Sequence, residues 1–102
     1  MQTSKPQFKL GLGQIVSTPG ALSALAKTGE SPNQFLRRHQ RGDWGDLCDD
    51  DRKLNDAAVA HEGDVDKQDR VLSAYKLKDG TKIWIISEYD RSVTTILLPS
   101  DY

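Results

Sequence analysis

Residues 71–88 read VLSAYKLKDGTKIWIISE, and this stretch decides the fold. Val71 to Leu77 and Lys82 to Glu88 are rich in Val, Ile, Tyr and Trp, which suit a pleated, half-buried surface. Asp79-Gly80 between them is a strong short-range signal for a hairpin turn. A third run of similar composition, Val93 to Leu98, follows after a short turn at Tyr89 to Ser92. The pattern predicts a three-stranded antiparallel meander. With Asp79 and Gly80 as the central turn residues, Tyr75 falls opposite Trp84 and Ala74 opposite Ile85. One face then carries Leu72, Ala74, Ile83, Ile85, Ile96 and Leu98, and the other Tyr75, Trp84, Ile86 and Leu97. Both faces are apolar. One is therefore expected to pack on helices, and the other to meet the N-terminal segment, a partner or a second copy.

Upstream the period changes to that of helices. Thr18 before Pro19 has the order of an N-cap followed by a first helical residue, and Ala21, Leu22, Leu25 and Ala26 have helical spacing up to Gly29. The same punctuation recurs at once: Ser31 caps, Pro32 starts, and Phe35, Leu36 and His39 share a face before Gly42. A bend at residues 43–47 leads to Asp49, Asp50 and Asp51, where a helix N-terminus favours negative charge. This third helix is predicted from Asp49 to about His61, with a narrow stripe of Leu54, Ala57, Ala58 and Ala60. Leu12 to Val16 is a short extended piece, a possible fourth strand, because Gly11 and Gly13 discourage a helix. Residues 1–10 lack periodicity and are expected to be a frayed leader, leaving 11–102 as a single α+β domain.

The length of 102 residues fits one small domain and excludes large multidomain enzymes. A formal charge of −1 makes the whole chain neither a polycation for nucleic acid nor a polyanion imitating it. The charge is segregated: +5 over residues 1–42, −7 over 43–69 and +1 over 70–102. Such asymmetry suggests a basic patch facing an acidic one, within the molecule or between two copies. The single Cys48 has no partner for an internal disulfide. No stretch is apolar enough for a signal peptide or a membrane span, so a reducing cytoplasm is the expected setting and no membrane association is expected.

Several clusters carry chemistry, and each has a plain structural reading beside it. Arg37, Arg38 and Arg41 can hold phosphates, with His39 as acid or base in a metal-independent ribonuclease; equally they are a solvated helix end whose positive charge suits the dipole. Asp43, Asp46 and Asp49 to Asp51 offer oxygen ligands, but the glycine and terminal Glu of a calcium loop are missing, so no metal or cofactor is expected. Trp44, between Gly42 and Gly45, is either an exposed anchor and base-stacking platform or a ring folded back to seal a small core. Trp84 and Tyr75 are binding aromatics or a cross-strand pair. In the turn, Asp90 and Arg91 suit a ligand contact, or else Asp90 completes the turn and Arg91 pairs with a carboxylate. Cys48 is expected to be buried.

Three ordered phrases stand out beyond this: Leu12-Gly13-Gln14-Ile15-Val16 with Thr18-Pro19-Gly20-Ala21-Leu22; Gly42-Asp43-Trp44-Gly45-Asp46-Leu47-Cys48; and Lys82-Ile83-Trp84-Ile85-Ile86 through Asp90-Arg91-Ser92 to Thr94-Thr95-Ile96-Leu97-Leu98-Pro99. As a set they resemble a family of small bacterial proteins of plasmids and integrative elements, often labelled plasmid-related protein or type I restriction endonuclease subunit M. The resemblance implies a mobile-element context and supplies no mechanism. Methyltransferase activity is not expected, since the chain lacks the glycine-rich turn of a doubly wound sheet and any Asn-Pro-Pro or Asp-Pro-Pro segment.

The leading expectation is a non-enzymatic interaction or regulatory module, contacting an unidentified protein or a second copy. The candidate binding residues are Arg37, Arg38, Arg41, Asp43, Trp44, Trp84, Asp90 and Arg91. A nucleic-acid-binding accessory protein using the arginines and Trp44 is the alternative, followed by a small ribonuclease-like enzyme built on His39.

Overall fold

The computed structural model describes residues 10–64 and 66–102. In chain order they form β1 (Gln14–Ser17), α1 (Pro19–Thr28), α2 (Pro32–Gln40), α3 (Asp49–Ala60), β2 (Val71–Lys76), β3 (Lys82–Ser87), β4 (Val93–Leu97) and a 3-10 turn at Pro99–Asp101. The sheet order is β1-β4-β3-β2, with the meander antiparallel and β1 parallel to β4. The domain is thus α+β, three short helices and a meander extended by an N-terminal strand. The expected leader covers residues 1–9, outside the described ones, and Leu10. Leu10 belongs instead to the core: it is fully buried, and its N–H and C=O both bond to Gln40.

The helix punctuation acts as the residue types dictate. Thr18 Oγ1 accepts from Ala21 N–H and Ser31 Oγ from Asn33 N–H, each capping a helix that opens with Pro. The buried stripes differ in detail from the spacing rule. Ala21 and Leu25 are buried while Leu22 is 54 % exposed, and in α3 Asn55 and Ala58 are buried while Leu54 is 68 % exposed. Both helices turn toward the sheet along a narrower line than their apolar content suggests.

The hairpin register is one residue off the expected one. Ala74 lies opposite Trp84 and Tyr75 opposite Ile83. The reason is a three-residue loop, Lys78-Asp79-Gly80, closed by Leu77 N–H to Thr81 O, with Gly80 at φ 88° in the left-handed region. A slip of one residue exchanges the faces of a whole strand. Ser73, Tyr75 and Leu77 therefore join Ile83, Ile85 and Ile96 on one face, while Leu72 and Ala74 join Trp84, Ile86 and Leu97 on the other. On the first face Ala21, Leu25, Phe35 and Leu36 of α1 and α2 pack against Tyr75, Ile83, Ile85 and Ile96.

The β2 edge is closed by two devices. Ala74 donates to Trp44 O and accepts from Asp46 N–H, an isolated parallel bridge centred on Gly45. Two residues along, the Asn55 amide imitates a neighbouring strand: its Nδ2 donates to Leu72 O at 2.6 Å and its Oδ1 accepts from Leu72 N–H at 3.2 Å. Unpaired strand edges invite association, and α3 meets the sheet at its β2 edge. Among the described residues no α-helix lies across the Trp84 face, on which Ala74, Ile86 and Leu97 are buried and Leu72 and Trp84 half-buried. A second small core of Leu10, Trp44, Ala58 and Val71 fixes α3 at that edge.

Candidate functional site

His39 is fully buried between two strands, with Nδ1 2.6 Å from Ser73 Oγ and Nε2 2.9 Å from Ser87 Oγ. The proton order along this chain follows from its far end. Thr94 Oγ1–H donates to Leu12 O at 2.8 Å, so the Ser87 hydroxyl must donate to Thr94 Oγ1 across 2.7 Å. Ser87 then accepts from His39 Nε2–H, and Nδ1 accepts from the Ser73 hydroxyl. The imidazole is neutral and its tautomer fixed. Burial, aided by the positive charge of Arg91, pushes its pKa down to about 3. His39, Ser73, Ser87 and Thr94 are all sealed from solvent, which removes His39 as an acid or base for a dissolved RNA substrate. The relay ties α2 to three strands and to the segment before β1.

The basic cluster is split by its own geometry. Arg38 bonds Asp43 through Nε at 2.8 Å and Nη2 at 3.3 Å, and its guanidinium lies 4.6 Å from the Tyr75 ring centroid. The Arg38 bond holds the Asp43 carboxyl below the usual carboxylate range, and Asp43 in turn raises Arg38. The Asp43 carbonyl accepts from Tyr75 Oη at 2.7 Å. Arg38 and Asp43 are thus occupied with each other in closing α2, while Arg37 and Arg41 are exposed. Trp44 is a correction to its place among the candidate binders: it is 3 % exposed, its Nε1 donates to Asp56 Oδ1, and its ring meets His39 edge-on at 5.7 Å. It seals the second core and is closed to a base or a partner. Cys48, expected to be buried, is exposed at the start of α3, because the three acids that follow keep that helix end in water.

Arg91 is likewise committed inside the molecule. It sits at φ 59°, bonds both Glu62 carboxylate oxygens, and sends Nη1 to Asp69 O at 2.8 Å and Glu88 O at 2.7 Å. Its side chain is 9 % exposed, so Arg91 is a positioning residue that ties the β3–β4 turn to the segment before β2 rather than a ligand contact. Asp90 completes the turn by accepting from Ser92 N–H, and bonding with Ser92 lowers its pKa.

Of the sequence candidates, Trp84 lies at a cavity. The open sheet face supplies its floor through Leu72, Trp84 and Ile86; Asp51, Leu54 and Asn55 form the α3 wall, Asp69 and Arg70 the second, and Tyr102 completes it, enclosing about 330 Å³. Trp84 is half-buried, and the Tyr102 ring meets it edge-on at 5.7 Å between centroids. The Arg70 guanidinium lies 5.6 Å from the Tyr102 centroid. Leu72, Arg70 and Tyr102 escaped sequence reasoning; Tyr102 stands far from Trp84 in the chain, and Leu72 was assigned to the wrong face by the register.

Among the described residues no group of three or more His, Cys, Asp or Glu side chains converges to hold a metal ion, and no helix is long and apolar enough to cross a membrane. No family model, curated protein or solved structure matches the chain.

Proposed function

We propose that the chain is a non-enzymatic interaction module that binds a protein partner on its open sheet face. The observation that carries this reading is the half-buried Trp84 on the floor of a groove walled on one side by α3. Aromatic side chains set in such concavities are favoured anchors of protein contacts. Support also comes from the internal commitments of several other candidates: His39 is sealed, Trp44 is in the core, and Arg91 and the partly exposed Arg38 hold carboxylates of their own chain. In the setting implied by the resemblance to proteins of plasmids and integrative elements, the module serves as an accessory of a bacterial mobile element.

The test is affinity capture from a bacterial host extract with the wild type, Trp84→Ala and a Tyr89→Ala control, Tyr89 being exposed in the β3–β4 turn and not among the residues that line the groove. A stoichiometric protein that is lost with Trp84→Ala and retained with Tyr89→Ala is the expected result. Equal capture by both variants overturns the reading, as does recovery of nucleic acid alone that leaves with salt. The latter result points to the exposed Arg37 and Arg41 instead.

A further inference from the structure

The groove has a chemistry more specific than an apolar slot. Its floor offers the Trp84 ring, with Tyr102 beside it, and its walls carry the carboxylates of Asp51 and Asp69. Neither carboxylate takes part in a salt bridge among the described residues. Each has a light local bond: Asp51 accepts from Cys48 Sγ and Asp69 from Arg70 N–H. Both remain exposed and able to meet a cation. Among the charges that line the groove the two carboxylates outnumber the one cation, Arg70, and Asp49 and Asp50 precede Asp51 on the same helix turn.

An aromatic face with nearby carboxylates is a receptor for a cationic side chain: the ring quadrupole attracts the cation within about 6 Å, and the carboxylates add Coulomb attraction. The molecule already shows the affinity of one member for a guanidinium, in the packing of Arg70 on Tyr102. The volume of about 330 Å³ lies at the small end of the range for ligand sites. It suits one long side chain whose methylenes lie on Leu72 and Ile86. Arginine fits better than lysine, because its planar, weakly hydrated guanidinium stacks on rings and bonds carboxylates with two donors.

We infer that the groove between α3 and the open sheet face is a pocket for an arginine side chain presented by a basic segment of a protein partner, with Trp84 as the ring and Asp51 and Asp69 as the counter-charges. This inference rests on the reading of the open face as the partner surface.

The probe is acetyl-Gly-Val-Arg-Val-Gly-amide, titrated into the full chain while the Trp84 indole N–H resonance is followed, with acetyl-Gly-Val-Glu-Val-Gly-amide as counterpart. The arginine peptide is expected to shift that resonance with an affinity that weakens as salt rises. The Asp51→Asn, Asp69→Asn double variant is expected to bind it at least about tenfold more weakly, a loss corresponding to about 1.4 kcal/mol. A thermal melt checks that this variant stays folded, which two exposed and nearly isosteric changes allow.

No shift with the arginine peptide overturns the inference. So does a shift by the glutamate peptide acting through Arg70, or an arginine affinity unchanged in the double variant. A Trp84 shift that depends on protein concentration without peptide assigns the groove to a second copy, and also overturns it. If the peptide fails while Trp84→Ala still abolishes partner capture, the interaction reading stands and the arginine assignment alone falls; capture that is indifferent to Trp84 removes both.

Discussion

Arg91 grips Glu62 at two points, with Nε 3.1 and 3.0 Å from the two carboxylate oxygens and Nη2 2.7 Å from one of them. The pair joins residues 29 apart in sequence, and the same guanidinium holds Asp69 O, so the segment bearing Asp69 and Arg70 is fixed from behind. Arg91→Ala leaves a part-buried carboxylate and the Asp69 carbonyl without their guanidinium donor, while Glu88 O keeps only the backbone N–H of residue 91. A loss of about 3 kcal/mol in urea unfolding is expected, as for a broken buried pair. Arg91→Lys keeps the backbone conformation and the charge but not the fork, and should recover less than half of that loss. Because Arg91 backs the groove wall, Arg91→Ala should also shift the amide resonances of Asp69 and Arg70. An unchanged spectrum there would show that the clamp does not shape the groove.

The buried His39 makes stability depend on pH. Its folded pKa is about 3 against an ordinary value of 6.5. The unfolded chain therefore takes up the proton first, and the contribution is complete above about pH 6.5 and is lost progressively as pH falls toward 3. The slope is about 1.4 kcal/mol per pH unit inside that window. His39→Gln, which cannot titrate, should be less stable at neutral pH and show a flatter profile between pH 6 and 4. Asp43 acts lower: its folded pKa lies below 3.8, so its stabilisation is present above that value and is lost only as pH falls through the folded value. Urea midpoints at successive pH values separate the two groups.

The two tryptophans should behave oppositely on truncation. Trp44 is 3 % exposed, packs with Leu10, Ala58 and Val71, and bonds Asp56. Trp44→Ala should cost about 3–5 kcal/mol as a large core deletion. Trp84 faces the groove and is half-buried, so Trp84→Ala should cost less than half as much while it removes partner binding. Denaturant curves for the pair of variants check this. Equal losses would place Trp84 in the core and remove it as a free anchor.

Helices α1 and α2 were legible because each begins with a cap and a proline, signals that act within four residues, and α3, which has no side-chain cap, from the three acids of its first turn. The strands were legible from composition, and the Ile-rich run of β3 left no alternative to a sheet. Their register was not, because Asp79-Gly80 fits a two-residue loop as well as a three-residue loop ending in Gly80. That one ambiguity exchanged Leu72 and Ala74 for Ser73 and Tyr75. A signal was nevertheless present: Ser73 and Ser87 interrupt otherwise apolar strands, and a buried His39 needs such partners. The Asn55 clasp and the meeting of Trp84 with Tyr102 are long-range, and no local pattern encodes them. Of the candidates chosen for charge, Arg38 and Arg91 find carboxylates of their own chain first, while Arg37, Arg41 and Asp90 stay exposed.

Gly45 and Gly80 separate backbone strain from lack of space. Both lie in the left-handed region, at φ 76° and 88°. A Cβ at Gly80 meets nothing within 4 Å, whereas at Gly45 it runs into Ala74 O and the Tyr75 ring. Gly80→Ala therefore carries the conformational term alone, about 1 kcal/mol. Gly45→Ala adds a backbone clash at the bridge that closes the β2 edge, and Tyr75 cannot withdraw while its hydroxyl holds Asp43 O. Its cost should exceed that of Gly80→Ala by about 2 kcal/mol or more, in the range of overpacking a filled site. Hydrogen exchange gives the sharper distinction. In Gly45→Ala the Ala74 amide, which donates to Trp44 O, should lose protection and leave the edge open to association, while in Gly80→Ala it should remain protected. Equal protection in the two variants would show that the bridge contributes nothing to closing the edge.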